Sequence, residues 1–469
     1  MTKHTPDRGR SSFLNGNAIA LALSMLLASL GVSIATVALP ALSREFSVSV
    51  SDVQWVILAY LLAVTVTVVP AGRMGDLFGH RRVLLIGLAV FAAASALSSV
   101  APTLAVLVIA RAVQGIGGAI LMALTVSAAR ELVSVDRTGS LMGLLGSMSA
   151  VGTALGPSLG GVLISSFGWR SCFVLMTALG LGALLTAIRG SARTNSPAET
   201  ANLSLDLPGS LALGLALAFY ALAMTGTFSS RISGSLLLTA CGLATVLFIV
   251  LERRAKSPLV HLPAFRNHTI LASLFMNLLV STGMMATLVI GPFYLIFGLG
   301  LNEALVGMTM AVGPVVAAVS GVPAGRLTDR FGPAAILLAG LAEMMVGFIC
   351  LAFLPGLLGV GGYVLSLAIL TPGFQLFLAA NNTTMMIAAE ANQRGMLSGL
   401  LGLSRNLGFM TGASGMSALF AAVVGTRNIQ LAASETVSKG FLVVFLAAAG
   451  LMIIAMAASR SPFSSPRSP

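Results

Sequence analysis

The sequence predicts an all-α polytopic membrane protein built from two repeated halves, and three observations carry that prediction. First, 57% of the 469 residues are hydrophobic and only 9% are charged, whereas roughly 25% are charged in an average soluble domain. Second, the apolar runs are about 20 residues long, which is the length of a membrane-spanning helix and not of a barrel strand. Third, two stretches recur in the same order along the chain, as an internal duplication requires.

The duplication is visible in two pairs of segments. Residues 70–79 read PAGRMGDLFG and residues 323–332 read PAGRLTDRFG; residues 143–156 (GLLGSMSAVGTALG) align with residues 399–412 (GLLGLSRNLGFMTG). The offsets, about 253 and 256 residues, nearly agree, so the two halves run in parallel order. Transporters of this kind hold their substrate between the halves near the bilayer midplane. Each PAGR segment separates two apolar runs, so we expect it to form a tight connection at the membrane surface.

The spacing of the apolar runs defines the predicted domains. The repeat offset leaves room for two helices between the halves, and polar segments flank that pair on both sides. We therefore expect 14 transmembrane helices: a tail at 1–15, a six-helix half at 16–188, a linker at 189–206, an inserted two-helix hairpin at 207–251, a linker at 252–268, a second six-helix half at 269–459 and a tail at 460–469.

The basic residues predict the orientation. With both termini in the cytoplasm, about 19 Lys and Arg fall in cytoplasmic segments and about 5 fall outside, in agreement with the positive-inside rule. Orientation therefore accounts for the net charge of +12, and we expect no nucleic-acid partner. The three cysteines lie in apolar runs without metal-ligand spacing, so we expect no metal and no cofactor. The predicted location is a bacterial cytoplasmic membrane.

The glycine-rich turn and a later glycine-rich helix resemble a known family. Residues 72–82 (GRMGDLFGHRR) and residues 152–161 (GTALGPSLGG) resemble motifs of the major facilitator superfamily, specifically its 14-span drug:proton antiporter branch (EmrB/QacA-type exporters). The resemblance implies a major facilitator fold and assigns the first motif to a conformational lock, in which a carboxylate meets a helix N-terminus of the other half. Turns that only face solvent are the alternative. The candidate lock residues are Gly72, Asp76, Gly79, Arg81 and Asp329.

The second motif matches the family's antiporter signature at every fixed position. Its residues are Gly152, Gly156, Pro157, Gly160 and Gly161. Four glycines remove side chains from one helix surface, and the proline removes a backbone donor and favours a bend. We expect this surface to pack closely against the opposite half, and the resemblance implies export. An ordinary glycine-rich packing helix is the alternative.

Two charged residues inside predicted spans are candidates for proton coupling. Arg111 lies within RAVQGIGGA and shares a helix face with Gln114, Gly115 and Gly118, so it faces protein or a cavity; the resemblance assigns it to proton coupling. Bonding to carbonyls of a neighbouring helix is the alternative. Glu343 is the carboxylate well inside a span, on a stripe of small residues, and a buried carboxyl can exchange a proton near physiological pH. A structural hydrogen bond between helices is equally open.

The first span departs from the family. Residues 30–40 read LGVSIATVALP, so Gly31 occupies the position where the family carries a membrane-embedded acid. A preference for organic cations is therefore in doubt. The polar residues that we expect in the substrate cavity are Tyr60, Gln114, Asn277, Gln375, Asn381 and Asn382. Methionines in the second half would add deformable apolar surface, as at Met284 and Met310, although packing is the alternative for each.

These observations predict a secondary exporter that works by alternating access and is coupled to protons, with small amphipathic compounds or drugs as substrates. Its expected partners are the lipid bilayer, the substrate and protons, and we expect a monomer or a component of a wider efflux complex. No ATP-binding segment is visible, and no enzyme activity is expected. Two alternatives remain: a dedicated exporter of one endogenous metabolite, and a transporter-like receptor or scaffold that moves nothing.

Overall fold

The computed structural model describes residues 16–132, 135–189, 207–225, 234–255, 267–388, 394–425 and 429–459. Within these ranges some side chains lie outside the description, including those of residues 126–147 and of Asp76. The predicted tails and most of both predicted linkers also lie outside the described residues. Their boundaries therefore stay predictions.

The described part of the first half folds into long apolar helices joined by very short connections. A one-turn helix at Val50–Val53 connects the first two, with the Ser49 hydroxyl capping its N-terminus. Glycine and small residues between apolar ones let neighbouring helices approach closely. The helices are α1 (Gly16–Phe46), α2 (Trp55–Phe78), α3 (His80–Ser99), α4 (Leu104–Leu132), α5 (Val135–Phe167) and α6 (Arg170–Arg189).

The rest of the described chain forms a helix pair and a second set of long helices. A π-helical turn at Tyr294–Gly298 follows α9, and another at Gly412–Met416 joins α12 to α13. The helices are α7 (Leu207–Thr225), α8 (Gly234–Arg254), α9 (His268–Phe293), α10 (Glu303–Phe331), α11 (Pro333–Ala388), α12 (Arg394–Thr411), α13 (Ser417–Val424) and α14 (Ser434–Ser459).

Helix α11 is two helices in succession. Its 56 residues are interrupted at Gly359, whose φ of 56° and ψ of −134° are not helical. The residues before it, 333–358, form the first arm, and residues 360–388 form the second arm. The arms pack against each other, because a Cβ at Gly347 would lie 2.6 Å from the Cα of Leu370. The sequence predicts this reversal between 354 and 357, a few residues early.

Length and composition make this a helical membrane protein. Among the described residues, 11 helices are long and apolar enough to cross a membrane, and Val151–Phe167 and Pro208–Ala223 are shorter apolar helices. With the two arms of α11 counted separately, the described chain has about 11 to 14 candidate spans. Many large apolar side chains on the outer helix faces are exposed, including Leu236, Leu243 and Val319. Such a surface suits lipid and not water.

The two halves repeat each other in three dimensions. Gly79 ends α2 with φ of 88°, and Gly332 ends α10 with φ of 83°, a backbone conformation that glycine adopts without steric penalty. The prediction that each PAGR segment forms the connection is wrong in one respect. Residues 70–78 and 323–331 are the last turns of helices, and a single glycine makes each turn. We call the side of the bundle that carries both glycines the turn side.

Candidate functional site

A cavity of about 660 Å³ lies between the two halves. One wall comes from α5 of the first half, and the others come from α9, α10, the second arm of α11 and α12. The wall is mostly apolar, and none of the described residues that line it is acidic. Its lining is Ser149, Val151, Thr153, Met284, Thr287, Leu288, Met310, Gly313, Pro314, Ala317, Ala318, Gly321, Val322, Tyr363, Leu367, Thr371, Phe374, Gln375, Leu378 and Phe409.

The cavity is closed on the side opposite the turns. There α5 and α10 touch backbone to backbone, because a Cβ at Gly161 would lie 2.8 Å from the Cα of Gly307. The Pro157 carbonyl lies against the same glycine. Arg44 at the end of α1 forms an ion pair with Glu303 at the start of α10. These contacts join the two halves, so this end of the cavity is sealed by packing and by charge.

On the turn side the described residues of the two repeated motifs make no comparable contact. A Cβ at Gly72, Gly325 or Gly332 would meet nothing within 4 Å. Asp329 is exposed and has no hydrogen bond or ion pair with the described residues. The cavity lining on α10 runs from Met310 to Val322, away from the sealed end and towards this side. The conformation is therefore closed on one side and looser on the turn side.

The predicted lock residues lie on the turn side. Asp76 lies in the last turns of α2, and its side chain lies outside the described residues, so its role stays a prediction. Arg81 donates to the carbonyls of Ala187 (3.5 Å) and Ile188 (3.2 Å) at the end of α6, where a cation satisfies carbonyls that lack helical partners. Arg81 therefore ties two helices of its own half together in this conformation.

The glycines of the antiporter-like motif do not all face the opposite half. A Cβ at Gly152 would lie 2.6 Å from the Leu26 carbonyl, and one at Gly156 would lie 2.6 Å from the Ser33 Cβ; Gly160 faces Ile34. All three contacts are with α1. Of the motif's four glycines, Gly161 packs across to α10 of the opposite half, whereas the other three pack within their own half.

Arg111 is fully buried inside the first half. Its guanidinium donates to the carbonyls of Val56 (2.9 Å) and Gly31 (2.8 Å) and to Gln114 Oε1 (2.5 Å). It also lies 4.4 Å from the centre of the Tyr60 ring. Burial of a charge requires this degree of pairing. Arg111 thus connects α1, α2 and α4 by donating to backbone carbonyls, which is the structural alternative named in the sequence analysis. Its part in proton coupling stays a prediction.

The glycine at position 31 of α1, where the sequence analysis noted a missing acid, has a visible structural counterpart. A Cβ at Gly31 would lie 3.1 Å from the Tyr60 hydroxyl and 3.4 Å from Phe91. There is little room for a side chain, and the Gly31 carbonyl takes one of the guanidinium bonds. Backbone carbonyls and an aromatic face therefore surround the Arg111 charge, and no carboxylate of the described residues pairs with it.

Of the six polar residues predicted for the cavity, the described lining includes Gln375 alone. Tyr60 and Gln114 belong to the Arg111 cluster. The Asn277 amide donates to the Leu401 carbonyl (2.8 Å), and Asn381 accepts from the Ser273 hydroxyl (2.5 Å). Asn382 is exposed but is not part of the lining. A buried amide often bonds a neighbouring helix rather than a ligand, so a cavity role for the residues outside the described lining stays a prediction.

Glu343 lies between the two arms of α11. Its Cβ is 3.0 Å from the position of a Cβ at Gly373, and Gly340 packs on the backbone of the second arm near Phe377. The stripe of small residues thus packs against another helix. Glu343 is half-buried, has no hydrogen bond within the described residues, and lies away from the described cavity lining. Proton carriage by this carboxyl stays a prediction.

The sequence reasoning missed Ser149, Thr153, Tyr363 and Phe409 on the cavity wall. One signal could have found two of them. The second repeat pairs residues 143–156 with residues 399–412, so Thr153 corresponds to Phe409, and both line the cavity. A repeated motif that includes one wall residue predicts its counterpart.

Two repeated helical halves around a cavity sealed at one end are the architecture of a secondary transporter. The comparisons agree. The family model of the Major Facilitator Superfamily matches residues 21–413. The chain therefore belongs to the Major Facilitator Superfamily.

Several relatives are named as transporters or exporters. The riboflavin transporter RibZ of Clostridioides difficile is 27% identical over 406 residues, covering 86% of this chain and 87% of the relative. The tetracenomycin C resistance and export protein of Streptomyces glaucescens is 28% identical over 430 residues, covering 90% and 79%. The multidrug efflux pump LfrA of Mycolicibacterium smegmatis is 28% identical over 423 residues, covering 89% and 83%.

Among solved structures, the fold resembles that of a mutant of the nucleoside transporter NupG, with a TM-score of 0.70 and 13% identity over 96% of this chain and 100% of that one. It also resembles a bacterial homologue of the lysosomal transporter Spinster in an inward-facing, unoccupied conformation, with a TM-score of 0.67 and 16% identity over 98% and 100%. These likenesses show the fold.

Proposed function

We propose that this protein is a secondary active exporter of small amphipathic compounds that works by alternating access in the bacterial cytoplasmic membrane. The carrying observation is the cavity between the halves, which is sealed at one end by the Gly161–Gly307 contact and the Arg44–Glu303 ion pair. Export relatives such as the tetracenomycin C and LfrA proteins and the antiporter-like motif support the outward direction.

The proposed topology has 14 spans with both termini in the cytoplasm. The two arms of α11 count as two spans, and the basic residues favour a cytoplasmic turn side. The sealed end then faces outward, and the structure represents the inward-open state. Helices α7 and α8 form the inserted hairpin. The 14-span drug:proton antiporter branch is the subgroup that this arrangement fits.

The hairpin bridges the halves in this proposal. Gly214 of α7 leaves space for Val66 of α2, whose Cγ atoms would lie 3.2 Å from a Cβ there. The Tyr220 hydroxyl of α7 is 2.9 Å from the Thr411 hydroxyl of α12. Its partner α8 contributes Phe248 to an apolar cluster with residues of α9, α11 and α12. The pair lies outside the described cavity lining.

Proton coupling requires a group that can gain and lose a proton, and Glu343 is the proposed carrier because it is a carboxyl without a partner, among the described residues, within a span. Glu343→Gln should abolish uphill substrate accumulation in everted vesicles with an imposed pH gradient and preserve downhill exchange. Glu435→Gln, which changes an exposed glutamate on α14, is the control. Normal uphill export by Glu343→Gln would assign the residue to helix packing.

Export itself is tested in a host that lacks its own drug exporters. Expression of the protein should raise resistance to several unrelated amphipathic compounds and lower their accumulation in cells.

A second candidate function is transport of one metabolite, which the 27% identity to a riboflavin transporter favours. That function predicts an unchanged drug panel and a single altered metabolite. Complete absence of flux in proteoliposomes would indicate a receptor or scaffold.

A further inference from the structure

Helices α5 and α12 occupy equivalent positions in the two halves. A Cβ at Gly152 of α5 would meet the Leu26 carbonyl and Ser29, and a Cβ at its counterpart Gly408 would meet the Leu278 carbonyl and Ser281. Each helix therefore packs the same glycine onto the same turn of the first helix of its half. Residues at corresponding positions on α5 and α12 consequently face the same way relative to the cavity.

This equivalence places Arg405 on the cavity face of α12. Its counterpart on α5 is Ser149, which lines the cavity. Phe409, four residues further along α12, also lines the cavity, and side chains at i and i+4 lie one above the other on a helix. The Arg405 side chain is exposed even though it lies within an apolar span. Arg405 is not itself among the described lining residues, but its position on α12 puts its exposed surface on the side of the helix that faces the cavity.

The same pair of positions is hydrogen-bonded in the first half and unpaired among the described residues of the second. The Ser149 hydroxyl is 2.7 Å from the Ser29 hydroxyl. In the second half, the hydroxyl of Ser281 is buried without a hydrogen-bond partner among the described residues, where Arg405 likewise has no hydrogen bond, ion pair or ring contact. A buried unsatisfied hydroxyl and an unpaired guanidinium beside one helix turn are both unfavourable without a ligand.

The electrostatic surroundings select the sign of that ligand. The described lining of the cavity contains no carboxylate. Arg405 therefore acts without a neutralising partner in the described cavity lining. A guanidinium binds a carboxylate, sulfonate or phosphate through two parallel hydrogen bonds, and it does so most strongly where water is scarce.

We propose that Arg405 is an anion-binding residue of the central cavity, which makes amphipathic organic anions the preferred substrates. The acidic group binds the guanidinium, and the apolar body of the substrate packs against Phe409 and the methionines at 284 and 310. This inference rests on the proposed function, because it names the substrate class of the same cavity.

The test measures binding to the full-length protein in phosphatidylcholine nanodiscs, without any gradient. The probes are fluorescein and rhodamine 123, which share a three-ring skeleton and carry opposite charge, and the readout is fluorescence anisotropy. The wild type should bind fluorescein more tightly than rhodamine 123. Arg405→Gln should weaken fluorescein binding at least tenfold, Arg405→Lys should weaken it less, and neither should weaken rhodamine 123. Arg254→Gln, at an exposed arginine on α8, is the control.

Equal fluorescein affinity in wild type and Arg405→Gln would overturn the assignment, as would a wild type that binds neither probe or prefers rhodamine 123. Competition on the wild type covers the case of a variant that does not assemble. There 1-octanesulfonate should displace fluorescein at lower concentration than octyltrimethylammonium, and the reverse order contradicts the proposal. Because binding is measured without transport, anion-selective binding with no flux in vesicles would refute export while leaving this site intact.

Discussion

The two halves use equivalent helix pairs in different ways. In the first half, α1 and α5 satisfy their own polar groups: the hydroxyls of Ser29 and Ser149 bond each other. In the second half, α9 and α12 leave Ser281 and Arg405 open at the corresponding positions, as far as the described residues extend. The duplication therefore preserves the helix packing and changes the chemistry on the cavity wall. Most residues of the described cavity lining belong to the second half, so we propose that the first half serves as a frame and the second supplies most of the binding surface.

The two arginines within spans show the same difference. Arg111 is enclosed in the first half by two carbonyls, Gln114 and the Tyr60 ring. Arg405, which we propose faces the cavity, is exposed and has no hydrogen bond, ion pair or ring contact in the described part of the chain. The residue type alone does not distinguish a structural arginine from one with the proposed binding role. The number of hydrogen-bond acceptors around the guanidinium distinguishes them.

Arg111→Leu should have the largest effect, because it removes the three hydrogen bonds that the guanidinium donates and leaves the buried Gln114 amide oxygen without its donor. We expect a loss of about 3 kcal/mol or more in stability, seen as a lower melting temperature and poor yield in detergent. Arg405→Leu is the matched control. It should change stability little, because Arg405 has no partner among the described residues. A melting temperature that falls no further for Arg111→Leu than for the control would contradict the division between frame and binding surface.

The motif glycines give the next comparison. Gly156→Leu should clash with Ser33 of the same half and lower stability by about 1 to 3 kcal/mol. Gly161→Leu should clash with Gly307 of the opposite half, so it should favour outward opening more than it lowers stability. Thermal melting and the labelling of an introduced cysteine from the outside together separate the two. Identical behaviour of both variants would mean that the motif serves packing alone.

How much of this was readable from the sequence depends on the kind of contact. The repeat predicts the paired turns at Gly79 and Gly332, and the small-residue stripe predicts that Arg111 avoids lipid. It does not predict that the Gly31 carbonyl meets the guanidinium, because that depends on how three helices cross. The sequence does not identify the residues of the cavity lining for the same reason. Polar residues in a span reveal that a partner exists, but a partner on another helix and a ligand leave the same pattern in the sequence.

The ion pair at the sealed end should have a smaller effect on stability, because both side chains are partly exposed, at 38% for Arg44 and 20% for Glu303. Pairs of this kind contribute about 0 to 1 kcal/mol. Arg44→Glu should nevertheless raise outward accessibility of the cavity several-fold, since like charges would then face each other across the halves. The charge-reversed pair Arg44→Glu with Glu303→Arg should restore the wild-type labelling rate. Failure of the double variant to do so would remove the pair from the gate.

The hairpin should contribute least. Tyr220→Phe removes its hydrogen bond to Thr411 and should lower stability by about 1 kcal/mol, with no change in the range of substrates exported. The resistance panel used for the wild type checks this outcome. A changed substrate range would place α7 at the transport path and not beside it.

Accessibility of the cavity from each side tests alternating access most directly. Thr153→Cys lies on the cavity wall and is placed in a background in which Cys172, Cys241 and Cys350 are replaced. A membrane-impermeant thiol reagent should label it quickly in everted vesicles and slowly in right-side-out vesicles, and Gly161→Leu should reverse that order. Equal labelling from both sides in both backgrounds, or labelling from neither, would contradict a cavity that opens to one side at a time.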